Sequence, residues 1–183
     1  MQGMIEKRGS RGIIWIDNPP VNAISHAVRE GLIKAVDNAS KDSEIKGLVL
    51  ACRGRTFMAG ADITEFASGV KQPWLGEVID TMSESSKVIV AAIFGTTFGG
   101  GLEVALGCNY RIADSNTKIG LPEVKLGIIP GAQGTQRLSR VSSVEFALKL
   151  ATLGNPVGAQ EALEAGAIDK ISNGELIDDA VSY

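Results

Sequence analysis

Residues 88–103 have the sequence VIVAAIFGTTFGGGLE, in which an apolar strand runs into a helix through three consecutive glycines. The β-branched run at 88–93 predicts a mostly buried strand. The glycines at 99–101 lead directly into an apolar helix that begins near Leu102. Unpaired amide groups and the positive end of a helix dipole meet at that point, which suits an anion or a developing oxyanion. Close backbone packing would also explain three glycines, so this stretch alone leaves both interpretations open.

Strands and helices alternate on both sides of this stretch. Apolar runs at 12–16, 47–50 and 168–171 predict three more strands. Ser25 is the predicted N-cap of a helix with one apolar face, formed by Val28, Leu32, Ala35, Val36 and Ala39. Further helices are predicted at 74–82, from 102, at 144–153 and at 158–165. This alternation indicates an α/β domain with mainly parallel strand connections.

The composition is typical of a soluble globular protein. The 183 residues suit one domain, and 44% of them are hydrophobic and 21% charged. No apolar run is long enough to span a membrane, and the charged N-terminus lacks the apolar core of a signal peptide. Cys52 and Cys108 are too few for a disulfide framework, so we expect free thiols and a cytoplasmic protein. A net charge of −3 without a basic stripe argues against nucleic acid as a partner.

Several cofactor and metal sites are excluded by their motifs. His26 is the only histidine, so neither a histidine-dependent triad nor a zinc site can be assembled, and we expect no metal ion. The glycines match neither the dinucleotide-binding fingerprint nor a P-loop.

A second glycine-containing segment, RTFMAGADI at residues 55–63, follows a predicted strand. Its small residues would let the backbone approach a ligand closely and would leave amide groups free to bind it. A tight turn in which Asp62 caps a helix explains the same residues. The segment by itself favours the turn.

Two glutamates stand out because their neighbours are apolar. Glu123 lies in IGLPEVKLGIIPG at 119–131, and Glu103 lies between Leu102 and the run 104–106. A carboxylate in such surroundings either has a charged partner or a raised pKa. Two of them suit a site in which one accepts a proton and the other donates one. The alternative is two exposed glutamates on separate helices.

Taken together, these segments resemble the crotonase superfamily of enoyl-CoA hydratases and isomerases in both order and spacing. The matching motifs are NPPVNA at 18–23, GADI at 60–63, GGGLE at 99–103, LPE at 121–123 and PGAQGTQRL at 130–138. The resemblance extends over essentially the whole chain. GLEVALGC at 101–108 is most similar to the hydratase part of multifunctional fatty-acid oxidation enzymes, where a 3-hydroxyacyl-CoA dehydrogenase part follows.

This resemblance implies the crotonase spiral, an α/β fold of repeated β-β-α units that forms two roughly perpendicular sheets with surrounding helices. Residues 1–183 would be the core domain, truncated at its C-terminus, because the family has further helices that build trimers and close the acyl pocket. We therefore expect homo-oligomers and a fused dehydrogenase part in the native protein. We also expect an apolar stripe to remain uncovered at the end of the chain, formed by Leu176, Ile177, Ala180 and Val181.

The resemblance further implies an enoyl-CoA hydratase that converts a 2-enoyl-CoA to a 3-hydroxyacyl-CoA in β-oxidation. The amides of Ala61 and Gly100 would form the oxyanion hole, Glu103 would deprotonate the water and Glu123 would deliver a proton to C2. No cofactor is expected, because CoA is part of the substrate. The resemblance assigns CoA and acyl binding to Val21, Asn22, Ala23, Ala59, Gly60, Asp62, Ile63, Phe98, Gly99, Pro122 and Gly131.

Two alternatives stay open. One is an enoyl-CoA isomerase, because Glu123 could also move a proton between C2 and C4. The other is an inactive acyl-CoA-binding module, because of the truncation and of a departure from the family pattern at Thr64. Thr64 replaces a lysine that many relatives have near the CoA phosphates, and Thr97 and Phe98 replace the Ala and Leu that are common before the glycines. Gln133 stands where the family usually has glycine. If the backbone at residue 133 needs a positive φ, Gln133 is strained or the turn differs.

Overall fold

The computed structural model describes residues 3–65 and 69–183, which form an α/β domain. Its strands are β1 (Met4–Arg8), β2 (Arg11–Ile16), β3 (Gly47–Cys52), β4 (Val88–Ile93), β5 (Thr96–Phe98), β6 (Tyr110–Ala113), β7 (Lys118–Gly120), β8 (Val157–Gly158) and β9 (Lys170–Ile171). Its helices are α1 (His26–Lys41), α2 (Leu75–Ser83), α3 (Gly100–Gly107), a 3-10 helix (Pro122–Leu126), α4 (Gly134–Val141), α5 (Val144–Leu153), α6 (Ala159–Glu164) and α7 (Leu176–Ser182).

The strands form two sheets. The larger has the order β1-β2-β3-β4-β6-β9, in which only the β1–β2 pair is antiparallel. Every residue of β3 is buried, as expected for a parallel strand covered on both faces. The smaller sheet has the order β5-β7-β8. The predicted α/β class with mainly parallel connections is therefore confirmed.

The chain passes repeatedly from one sheet to the other, which gives the predicted β-β-α units. It leaves the large sheet after β4, enters the small sheet at β5 and continues into α3; β6 and β7 repeat the same passage. The first passage turns at Gly95, where φ is 58°. A Cβ atom there would lie 2.7 Å from the carbonyl oxygen of Arg55, so the turn requires glycine.

Helix α1 begins as predicted, because the Ser25 hydroxyl accepts a bond from the Val28 amide. Its predicted apolar face is buried against the main core. Strand β9 is shorter than predicted: Ile168 is buried, but its amide bonds to the carbonyl of Ala162 at the end of α6 instead of joining the sheet. Cys52 and Cys108 are free and buried, as predicted, and burial raises the pKa of Cys108 to about 12.

The apolar stripe at the end of the chain is covered, so the expectation that it leaves an exposed surface is wrong. Helix α7 packs on the second face of the large sheet, and Ala180 is only 2% exposed. The apolar cluster that it joins contains the strand residues Ile13, Trp15, Val49, Ala51, Val90, Ala92 and Ile112. Asp179 fixes the helix by accepting bonds from the Lys170 ammonium group (3.1 Å) and the Ser172 hydroxyl. The sheet thus supplies the packing that so short a helix needs.

Within residues 3–65 and 69–183, no helix has the length and apolarity needed to cross a membrane. The same residues contain no cluster of three or more His, Cys, Asp or Glu side chains suited to holding a metal ion.

Candidate active site

One cavity of about 410 Å³ brings together most of the residues that the sequence singled out. Glu103 and Glu123 line it, as do the two expected oxyanion-hole residues, Ala61 and Gly100. The other predicted residues in its wall are Ala59, Gly60, Asp62, Ile63, Phe98, Gly99, Pro122 and Gly131. Residues that are far apart in the sequence therefore meet at a single concave site, where a ligand would be expected to bind.

Val21, Asn22 and Ala23 do not line this cavity, although the resemblance assigned them to binding. The Asn22 side chain is buried and its amide donates to the carbonyls of Arg53 (2.8 Å) and Thr56 (2.9 Å). Its oxygen accepts from the amide of Asn18 at 2.8 Å, and its φ of 53° is a conformation that asparagine tolerates. In this structure Asn22 holds the loop that precedes Ala61.

The amides of Ala61 and Gly100 lie side by side at the cavity wall. A Cβ atom built on Gly100 would lie 3.5 Å from the amide nitrogen of Ala61. Gly100 is the first residue of α3, so its N–H has no partner inside the helix. Ala61 is positioned by a parallel bridge to Ile24. Two backbone donors from separate segments can therefore reach the same ligand atom.

Two of the three consecutive glycines are needed for close contacts. Gly99 has a φ of 52°, and a Cβ atom there would lie 2.9 Å from the Glu123 carboxylate. A Cβ atom on Gly101 would lie 2.0 Å from the carbonyl oxygen of Met58, so α3 packs directly on that backbone. Close packing and the presentation of an amide were alternative interpretations of this stretch, and the structure contains both.

Glu103 lies at the base of the cavity and is 2% exposed. Its Oε1 accepts bonds from the amides of Ala132 and Gly134, both at 2.8 Å. Burial raises the pKa of Glu103, whereas these two amide bonds oppose the rise because they stabilise the carboxylate. The carboxylate is thus held from one side by backbone groups, and the prediction that it is buried is confirmed.

Glu123 is held differently, on the 3-10 helix that follows β7. It is 9% exposed, and its Oε2 is buried without a hydrogen-bond partner among the described residues. Burial raises the pKa of Glu123, and the negative charge of Glu103 raises it further, while a bond from its own backbone amide opposes both. The alternative of two exposed glutamates is therefore wrong.

Asp62 fixes the tight turn that the sequence allowed as an alternative. Its Oδ1 accepts bonds from the amide (3.0 Å) and the hydroxyl (2.7 Å) of Thr64. The Thr64 hydroxyl is the main cause of the lowered pKa of Asp62. Asp62 also lines the cavity, so one side chain fixes the local turn and contributes to the wall.

The cavity wall also contains a buried ion pair that was not predicted from the sequence. Arg29 is 4% exposed, and its guanidinium lies 2.9 Å from a carboxylate oxygen of Glu65. It also donates to the carbonyls of Lys71 (2.9 Å) and Pro73 (2.7 Å), which fastens the segment before α2. Arg29 lies three residues before Leu32 on the buried face of α1, and a charge at such a position signals a partner.

The chain is similar to known proteins over almost its full length. The sequence profile of the enoyl-CoA hydratase/isomerase family matches residues 6–183. The peroxisomal bifunctional enzyme of Cavia porcellus is 45% identical over 177 residues, which are 95% of this chain and 24% of that protein. The chain thus spans about a quarter of the length of the first curated relatives that it matches.

A shorter relative and a solved structure agree with this match. The probable enoyl-CoA hydratase of Bacillus subtilis is 40% identical over 163 residues, which cover 85% of this chain and 63% of that protein. The structure of DspI from Pseudomonas aeruginosa superposes with a TM-score of 0.92 at 33% identity, over 98% of this chain and 71% of DspI. The crotonase fold expected from the motifs is therefore confirmed.

Proposed function

The chain belongs to the enoyl-CoA hydratase/isomerase family, and on that basis we propose that its cavity hydrates a 2-enoyl-CoA to a 3-hydroxyacyl-CoA in fatty-acid β-oxidation. One observation carries the proposal: two buried carboxylates from different elements face one cavity beside two adjacent backbone amides. Relatives named as a bifunctional enzyme and as a probable enoyl-CoA hydratase support it.

The adjacent amides suit the thioester carbonyl. In the proposed reaction the carbonyl oxygen accepts bonds from the N–H groups of Ala61 and Gly100. Addition to C3 moves electron density onto this oxygen, so the same bonds become stronger as the enolate forms. Removing one such donor from an enzyme typically costs about 2.7–4 kcal/mol of transition-state stabilisation.

The carboxylates suit the two proton transfers. Glu103 takes a proton from water as the water oxygen bonds to C3, and Glu123 delivers a proton to C2 as the enolate collapses. The amide bonds to Oε1 of Glu103 leave its other oxygen for the water. Burial raises the pKa of Glu123, so its carboxyl group holds a proton more readily than an exposed glutamate does. The chain itself supplies both proton-transfer groups and both donors, and we propose that CoA enters only as part of the substrate.

An enoyl-CoA isomerase is the second candidate. Oε2 of Glu123 has no hydrogen-bond partner among the residues that the structure describes, so it could move a proton between C2 and C4. Isomerisation needs one proton carrier, whereas hydration also needs a base for water. Glu103, held by two amides, fits that second role. Hydration therefore accounts for more of the site.

A substrate comparison tests the proposal. The purified chain would be given crotonyl-CoA and a 3-enoyl-CoA in parallel, and acetoacetyl-CoA binding would be measured by calorimetry on the same preparation. We expect hydration of crotonyl-CoA to be the faster reaction. Preferential conversion of the 3-enoyl-CoA would favour the isomerase, and binding without turnover would favour the inactive acyl-CoA-binding module.

We also propose that the native protein is larger or assembled. Apolar side chains are exposed at the cavity rim, where Leu126 is 70% and Ile129 80% exposed, and on α5, where Val144 is 64% exposed. Exposed apolar clusters mark contact surfaces. A homotrimer and a fused dehydrogenase part would each cover such a surface, and the mass of the native protein in solution would distinguish them.

A further inference from the structure

Gln133 has a backbone conformation that side chains rarely adopt. It lies directly before α4 with φ 75° and ψ 6°, in the left-handed region. Non-glycine residues other than Asn and Asp seldom occupy this region, because the Cβ atom crowds the following carbonyl. Surrounding contacts must therefore hold the turn in place.

The Gln133 side chain makes two such contacts. Its Nε2 donates to Oδ1 of Asp80 on α2 at 2.8 Å, and its Oε1 accepts from Nε of Arg137 on α4, also at 2.8 Å. Arg137 donates in turn to the Ser83 hydroxyl at 3.1 Å and lies 3.5 Å from Asp80. Gln133 is thus the central member of a polar bridge that ties the end of α2 to the start of α4.

The turn that this bridge holds is the one that binds Glu103. The residues on either side of Gln133 are Ala132 and Gly134, and their amides donate to the same oxygen of Glu103 at 2.8 Å. The left-handed residue Gln133 lies between these two amides and sets the angle between their peptide planes. Rotation of Gln133 towards the right-handed region would turn these peptide planes apart and remove at least one bond.

We infer that Gln133 is a positioning residue for Glu103: its bridge to Asp80 and Arg137 maintains the left-handed turn that aims two amides at the carboxylate. The inference rests on the proposed function for its catalytic consequence, although the geometry of the turn does not depend on the reaction. Glycine would adopt this turn without help, whereas glutamine needs the bridge.

The charged groups around this site define what a titration of Glu103 will report. The carboxylate faces Glu123 of the 3-10 helix and the amides of Ala132 and Gly134 at the start of α4. Asp80 of α2 and Arg137 of α4 form hydrogen bonds with Gln133, and a variant at residue 133 leaves both of these charged residues in the protein. A change in the titration of Glu103 in such a variant therefore reports the amides.

Three glutamine variants test the inference. Gln133→Ala removes the bridge but keeps the strained Cβ atom, and Gln133→Gly removes both. Gln136→Ala, at an exposed position of the same helix, is the matched control. For Gln133→Ala we expect a kcat lower by about tenfold with little change in KM, less than the roughly 10²-fold that a misplacement of about 1 Å can cost. Gln133→Gly should recover most of that loss.

The second measurement does not require activity. Carboxyl groups of ¹³C-glutamate-labelled protein are titrated by NMR, and the Glu103 signal is identified by its absence in Glu103→Gln. The pKa of Glu103 should rise in Gln133→Ala because its amide bonds weaken, rise less in Gln133→Gly, and stay unchanged in Gln136→Ala. If Gln133→Ala does not fold, Asp80→Ala weakens the bridge with residue 133 intact and should shift the pKa in the same direction.

The outcomes separate the two claims. If the wild type hydrates crotonyl-CoA and Gln133→Ala raises the pKa of Glu103, both claims are supported. If the pKa rises in the same way but the wild type has no hydratase activity, the positioning role is supported and the proposed function is contradicted. A titration of Glu103 that is unaltered in Gln133→Ala overturns the positioning role, whatever happens to kcat. A shift equal in Gln133→Ala and Gln133→Gly overturns it as well, since the turn would then not depend on strain.

Discussion

The two carboxylates of the cavity are held in opposite ways. Glu103 lies on α3, whose residues are all buried, and two backbone amides bind one of its oxygens. Glu123 lies on a short 3-10 helix beside exposed apolar residues such as Leu126, and its Oε2 has no partner in the described parts of the chain. The first arrangement stabilises a fixed carboxylate, and the second favours a carboxyl group that carries a proton. Two chemically identical side chains therefore acquire different roles from their surroundings.

The largest effects should follow from neutralising either carboxylate. Glu103→Gln and Glu123→Gln keep the shape of the side chain but remove a proton-transfer group, so each should lower kcat for crotonyl-CoA hydration by about 10²–10⁴-fold. Circular dichroism should show that both variants fold. Glu145→Gln, at an exposed position on α5, is the control and should keep wild-type turnover. Near wild-type kcat in either site variant would mean that its assigned role is wrong.

Removing one oxyanion donor should have the next largest effect. Gly100 is the first residue of α3, a position at which proline is compatible with a helix, so Gly100→Pro deletes the N–H. We expect kcat to fall by about 10²–10³-fold. Gly100→Ala keeps the N–H, and its Cβ atom would meet the flexible end of Leu75 at 2.9 Å, so the loss should be far smaller. Equal losses in the two variants would contradict a role for this amide.

Much of this site could be predicted from the sequence. Glycines 99–101 and the apolar neighbours of Glu103 and Glu123 indicated close packing, free amides and buried carboxylates, because each signal lies within one short segment. The apolar face of α1 was predictable for the same reason, since it depends on local periodicity.

The features that were missed depend on contacts between distant segments. Arg29 pairs with Glu65 and donates to the carbonyls of residues 71 and 73. Gln133 donates to Asp80 on another helix. Neither pairing can be predicted from the neighbouring residues in the sequence. The apolar stripe on α7 was predicted correctly, but the prediction that it packs against helices beyond residue 183 was wrong. The large sheet supplies that partner, because its second face needs a cover.

A stability measurement sharpens the contrast between the carboxylates. The folded-state pKa of each is raised above its ordinary value of 4.5, so the native state binds the proton more tightly than the unfolded chain does. The native state therefore gains stability as the pH falls through the raised pKa towards 4.5, and is penalised above it. A tenfold difference in proton affinity between the two states corresponds to about 1.4 kcal/mol.

Replacing such a group by a neutral one should remove this penalty. Glu123→Gln should raise the free energy of unfolding at neutral pH, and the gain should vanish as the pH falls to the ordinary carboxyl pKa. Glu103→Gln should gain less, because two amide bonds stabilise the Glu103 carboxylate, whereas Glu123 has one such bond and also faces the negative charge of Glu103. Urea unfolding at neutral and acidic pH measures both differences. A larger gain for Glu103→Gln would reverse the assignment of the two environments.

The smallest effect concerns the exposed rim beside Glu123. Ile129 is 80% exposed and Leu126 70%, so we expect the chain to self-associate weakly through this surface. The double variant Leu126→Ser/Ile129→Ser should reduce the apparent mass measured by light scattering over a concentration series. The matched control is Val144→Ser on α5, 64% exposed and outside the cavity wall. Equal reductions would show that the rim has no special role.

The central claim is that two carboxylates in different surroundings make the two proton transfers of hydration. Product analysis in D₂O tests this claim most directly. The folded chain is incubated with crotonyl-CoA in D₂O, and the products are followed by NMR for the wild type and for Glu123→Gln. We predict 3-hydroxybutyryl-CoA with one deuterium at C2 from the wild type, and a loss of product by at least about 10²-fold in the variant. Deuterium at C4 of recovered crotonyl-CoA without hydration, or undiminished hydration by Glu123→Gln, would contradict the account.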